Sequence, residues 1–181
     1  SQGLRLNAGG NLSIPIGLLD DPAKQWQGIW NLDLAANGGN AAIVGGPSTG
    51  KSTALRTIAA SLALTHTPSE AGIYAVDLLG SSLLPLEGLP HVGGVAVRTN
   101  REVVRRTVDE VLGMLTQRER IFEKHQIDSL GTLRTLHAQG RIPELPSADI
   151  VLLVDGYGQL SDEFEDIEKS VHALISRGGG Y

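Results

Sequence analysis

Two patterns of apolar residues alternate along most of this chain: spacings of three and four, and continuous runs of strand length. Lys51 to Thr65 carries apolar residues at 54, 55, 58, 59 and 62, the period of a helix with one face in a core. From Asn100, an N-cap residue type, Val104, Val108, Val111, Leu115 and Phe122 mark one face of a second helix reaching about residue 125. Its other face is charged, with Glu102 and Arg106 four apart in the favourable order. An acidic segment, about 161 to 176, predicts a third helix. The strand-length runs are Ala41-Ala42-Ile43-Val44, Gly72 to Asp77, the shorter Val95 to Arg98, and Asp149 to Asp155, the last being the strongest. Unbroken apolar runs read as buried strands. Strands alternating with helices predict an α/β fold, a mainly parallel sheet with helices on both faces.

The first residues read differently. Leu12, Ile14 and Ile16 alternate with other residues, as do Trp30 to Leu34, which predicts short strands covering the edge of the core. Residues 1–36 are therefore expected to form a strand-rich covering segment and residues 37–181 the core, with Asn37-Gly38-Gly39-Asn40 as the turn between them. Pro68 ends the first helical region, and a loop with Pro143 and Pro146 leads to the last strand.

A length of 181 residues suits one domain with a substantial core. Glycine accounts for 23 of them, about 13% against the usual ~7%, so loops must use it. Aromatic residues are 4% and the formal charge is -5, which disfavours both a base-stacking platform and a uniformly basic binder. With no cysteine, disulfides, thiolate metal sites and cysteine nucleophiles are excluded. No apolar stretch approaches the ~20 residues that cross a bilayer, so this segment is expected to be soluble. Ser1 at one end and Gly178-Gly179-Gly180-Tyr181 at the other suggest a segment of a longer protein.

One motif carries the chemistry. Gly45-Gly46-Pro47-Ser48-Thr49-Gly50-Lys51-Ser52 fits G-x-x-x-x-G-K-[ST] and lies between a predicted strand and a predicted helix. Glycines let the backbone curl so that successive N–H groups face phosphate oxygens, and the helix adds its positive end. Lys51 is expected to neutralise the outer phosphates of ATP, Ser52 to place its hydroxyl on Mg²⁺, and Thr53 to start the helix near the first phosphate. Asp155, at the end of the strongest strand, is the expected second magnesium residue. The residue after such an aspartate is commonly a glutamate that orients the attacking water, and here it is Gly156, so binding and hydrolysis are separate questions. Asp77 ends a strand at the same carboxyl edge, where it either approaches a ligand or caps a turn. His91 has no partner at triad or metal spacing and reads as a loop residue.

Together these residues resemble the FtsK/SpoIIIE-type motor ATPases, and within them the EccC-type ATPases of type VII secretion. The resemblance rests on Val44 to Thr53, on Val76-Asp77, on Leu84-Pro85-Leu86-Glu87-Gly88-Leu89-Pro90-His91-Val92-Gly93-Gly94, and on Gln117-Arg118-Glu119-Arg120, and it runs from about residue 12 to the last residue. It implies a P-loop NTPase core of the RecA-like, FtsK type. It also implies ATP and Mg²⁺ as ligands, and a module, looking most like a degenerate second one, of a membrane-anchored motor at the cytoplasmic face. Further implied are tandem ATPase domains and secretion-machinery subunits as partners, WXG100-like helical-hairpin substrates, and a hexamer of the full-length protein. In that sheet order a later strand separates the phosphate-loop strand from the Asp155 strand, so the core is expected to be truncated at its C-terminal end. No arginine is assigned as a trans-acting finger, Arg177 being only a candidate. The competing reading is an active FtsK-like DNA translocase, for which Arg101, Arg105 and Arg106 form the one compact basic cluster. A small-molecule kinase would need an arginine-rich lid, which the sequence does not offer.

Overall fold

The computed structural model describes residues 11–181. The part of the expected covering segment at residues 1–10 lies outside the described residues. Strands β1 (Ser13–Asp21) and β2 (Trp26–Asp33) form an antiparallel two-stranded sheet. Helix α1 (Lys51–Thr65), β3 (Ala71–Asp77), β4 (Val92–Val97), α2 (Arg101–His125), α3 (Leu130–Ala138), β5 (Asp149–Asp155), α4 (Gln159–Glu163) and α5 (Glu165–Arg177) follow. The main sheet is parallel, in the order β4-β3-β5.

The sheet is sandwiched as its continuous apolar strands require. On one face Ile58, Ala59 and Leu62 of α1 pack with Ile73, Ala75, Val95 and Leu153. On the other, Val104 and Val108 of α2 and Ile167 and Val171 of α5 pack with Val76 and Ala96. Each large aliphatic side chain buried in this way contributes ~1.5–3 kcal/mol. A third cluster joins the end of α2 to α3 through Phe122, Leu133 and Ile142. It is pinned by the Arg134–Asp149 pair (2.7 Å) and by Arg118, whose buried guanidinium donates to the Ala148 carbonyl. Burial lowers the pKa of Arg118.

Several expectations need correcting. Ala41-Ala42-Ile43-Val44 is neither a strand nor buried: residues 41–46 carry no regular structure and Val44 is 93% exposed. A strand exists only by pairing, and no strand lies beside this run among the described residues, while β5 pairs only with β3. Ahead of the loop with Pro143 and Pro146, where no element was expected, lies α3, whose cap Ser129 accepts a hydrogen bond from the Thr132 amide. The acidic helix is split at Phe164 into α4 and α5. Glu102 pairs with Arg105 rather than Arg106. The covering strands cover only at their base, where Ile14 is fully buried and Ser61 of α1 donates to the Pro15 carbonyl (2.7 Å). Their tip carries Leu18, Leu19, Trp26, Ile29 and Trp30 half or more exposed. No helix among the described residues is long and apolar enough to cross a membrane.

Candidate nucleotide site

The loop at 45–50 turns through two residues in the left-handed region, Ser48 (φ 57°) and Gly50 (φ 91°), and enters α1 at Lys51, where the helical period begins. Thr49 Oγ1 closes the turn by donating to the Gly46 carbonyl (2.9 Å). At Gly45 a side chain would stand 2.5 Å from that hydroxyl, so the loop needs glycine there. No side chain caps α1, and the amides of its first turn have no acceptor within the helix. Lys51 Nζ folds back on the loop and donates to the carbonyls of Gly45 (2.9 Å) and Gly46 (2.6 Å). An open set of amides beside a lysine that satisfies itself on exposed carbonyls fits an anion such as a phosphate chain.

The neighbouring edge of the sheet supplies the acids. Asp77 and Asp155 are register partners at the carboxyl ends of β3 and β5, as their strand-end positions predicted, and both are buried. They do different things. Asp155 Oδ2 accepts from Ser52 Oγ at the start of α1, which joins the two residues expected to share a cation. Asp77 is used up: Oδ1 accepts from the amides of Leu79 (3.1 Å) and Gly80 (2.9 Å), and Oδ2 from the Leu83 amide (3.0 Å) and Ser82 Oγ (3.1 Å). Of the two readings open for Asp77, the cap is the one its contacts describe. Asp77→Ala leaves the buried Leu83 amide without its acceptor, whereas the exposed Leu79 and Gly80 can turn to water. The expected loss is roughly 1–3 kcal/mol, read as a lower urea midpoint at unchanged slope. An unchanged midpoint would show that the loop holds its shape without the aspartate.

Ser82, which sequence reasoning passed over, reaches Asp155 Oδ2 as well, at 3.4 Å. Its only signal was its place in the Gly80-Ser81-Ser82 turn after a strand-end acid. A magnesium ion needs about six oxygen ligands. Among the described residues no group of three or more His, Asp or Glu comes together, so Ser52 and Asp155 would hold a magnesium ion with water and phosphate oxygens completing its shell.

Other residues singled out by sequence lie elsewhere. Gly156 has a left-handed backbone (φ 81°) and no side chain to offer. Tyr157, the nearest alternative, turns to α5, where its hydroxyl is 3.1 Å from His172 Nε2. Arg177 is held by both oxygens of Glu119 (3.0 and 2.6 Å), so it is already paired within the chain. His91 is buried and its Nε2 meets the His66 carbonyl (2.8 Å), a packing role. Of the basic cluster, Arg101 is engaged by Asp166 and Arg105 by Glu102.

The ESX secretion system protein EccC of Thermomonospora curvata is 44% identical over 172 residues, covering 95% of this chain and 13% of the relative. The ESX-1 secretion system protein EccCb1 of Mycobacterium tuberculosis is 40% identical over 169 residues, covering 92% and 29%. The solved cytoplasmic domain of the T. curvata type VII secretion ATPase EccC superposes over the whole chain with a TM-score of 0.92 at 42% identity, over 21% of its own length. A second T. curvata structure, EccC ATPases 2 and 3 in complex with a signal sequence peptide, gives 0.91 at 42% identity, over 32% of its length. The chain thus spans less than a third of each of these proteins and carries the FtsK-type P-loop NTPase fold. With the FtsK/SpoIIIE profile matching residues 21–180, nearly its whole length, the chain belongs to the FtsK/SpoIIIE family.

Proposed function

We propose that this chain is an ATP-binding module of a type VII secretion motor that retains Mg·ATP with little or no hydrolysis, and that the bound nucleotide sets the arrangement of neighbouring ATPase modules. The observation that carries this reading is a complete phosphate loop whose Ser52 meets the strand-end Asp155, next to a glycine where a water-orienting side chain would be needed. Gly45, Gly46, Pro47, Ser48, Thr49, Gly50 and Thr53 wrap the phosphates, Lys51 neutralises them, and Ser52 with Asp155 holds Mg²⁺, which supplies positive charge at the phosphate oxygens. ATP bound more tightly in one arrangement than another shifts the motor toward that arrangement, which is all that regulation without turnover requires. The relatives support the setting: a secretion machine, tandem modules and recognition of a signal peptide. WXG100-like substrates, a hexamer and a place at the cytoplasmic face of the membrane belong to the whole motor under this reading.

The DNA-translocase alternative is weaker because two of the three clustered arginines are neutralised and the formal charge is -5. Titration of Mg·ATP and filter binding of duplex DNA at low and moderate salt decide between the two. One saturable nucleotide site with no duplex retention is expected. Saturable duplex binding that falls steeply with salt would turn the assignment to DNA.

A further inference from the structure

The space beside Gly156 is filled. A Cβ at this residue would lie 2.7 Å from Leu79 Cγ and 3.0 Å from Leu79 Cδ2, with Leu78 Cβ at 3.4 Å, an ordinary contact. The backbone of Leu79 is held there, while its side chain, 54% exposed, lies outside the core. The amides of Leu79 and Gly80 are clamped by Asp77 Oδ1, and the Leu78 amide donates to the Asp155 carbonyl (2.9 Å), the bond just before Gly156. Loop and strand end are thus fixed to each other. The side chain that projects between them is apolar, and it stands where the side chain of residue 156 would begin.

We propose that Leu79 and Gly156 are a matched pair, and that Leu79 is a positioning residue that keeps the water-orienting place of the site closed to any side chain from residue 156. The proposal rests on the nucleotide reading above for its functional half and on packing alone for its structural half. Two obstacles face a glutamate at 156: the left-handed backbone and the Leu79 side chain. Only the second depends on Leu79. Leu79→Ala removes Cγ and Cδ2, whereas the backbone strain is the same in both backgrounds and cancels in a double-mutant cycle.

The cycle is Gly156→Glu, Leu79→Ala and the double variant in the full chain, read first without nucleotide by hydrogen exchange of the peptide covering residues 78–83. Gly156→Glu alone is expected to speed exchange roughly tenfold, and the double variant to recover most of the protection lost. An equal loss in both backgrounds would overturn the pairing. Gly156→Asn, whose side chain tolerates a left-handed backbone, repeats the cycle if the glutamate variant does not fold. Phosphate release with Mg·ATP is the second readout. Gly156→Glu is expected to stay at the parent level and the double variant to exceed it roughly tenfold or more, the low end of what a positioned group contributes. A single Gly156→Glu variant as fast as the double, or a double no faster than the parent, would overturn the role given to Leu79. Should the parent bind no nucleotide, the preceding reading fails while the exchange cycle still decides the pair.

Discussion

Lys51→Ala is expected to weaken Mg·ATP binding by about 10- to 100-fold while leaving the fold intact. The magnitude follows from the loss of charged hydrogen bonds to phosphate, each worth ~1.5–3 kcal/mol. The intact fold follows from where Lys51 sits. Its ammonium touches only the carbonyls of Gly45 and Gly46, on a segment exposed from residue 41 to 50, so water replaces it there at little cost. Saturating Mg·ATP should therefore raise the melting temperature of the parent clearly more than that of the variant, because ligand stabilisation scales with the logarithm of concentration over Kd. Titration calorimetry separates the two contributions directly. Equal affinity in the parent and Lys51→Ala would remove the phosphate loop from the site, whatever its resemblance to one.

The parts of this molecule that were legible in its sequence are those whose signal is local. Helix α1, β3, α2 and β5 announce themselves by period or by unbroken apolar runs, and each lies within a few residues of its expected place. The phosphate loop was legible for the same reason: all its chemistry sits within nine residues. Ala41 to Val44 shows the limit, since an apolar run encodes the propensity for a strand but not the neighbour that must pair with it. Helix α3 escapes although Leu130, Leu133 and Leu136 recur every three residues, because a repeat this short, lying ahead of a loop with two prolines, reads with the loop. In the site, the apposition of Asp77 and Asp155 followed from two strand ends. The split in their roles did not, because it depends on a loop folding back over Asp77 to bring Leu79 and Ser82 beside Asp155 and Gly156. The sequence shows a glycine at 156, and only the fold shows Leu79 beside it.

With Mg·ATP in excess, the domain's own site is expected to release phosphate far below one turnover per second, the lower end of the range for working enzymes. Hydrolysis needs a group that orients the attacking water as well as positive charge around the phosphates, and such a group contributes ~10²–10⁴-fold. Under the proposed reading, Lys51 and the Mg²⁺ that Ser52 and Asp155 would hold supply the charge. No side chain near Gly156 among the described residues accounts for the water. Gly156 has none, Tyr157 is drawn to His172 on α5, and Gln159 lies inside α4, three residues beyond the position used for this purpose. Asp77 cannot substitute, since each of its oxygens already accepts two hydrogen bonds from the loop it caps. Nor does the chain offer Arg177 as a free charge for a neighbour's phosphates, because Glu119 holds it with two bonds. A steady-state phosphate-release assay with Lys51→Ala as the background measures the outcome. The parent should exceed that background by little, though it binds nucleotide more tightly than the variant. Turnover near one per second that disappears in Lys51→Ala would mean that a water-orienting group reaches the site from beyond residues 11–181, and the module would then be a working motor part rather than a nucleotide-held switch.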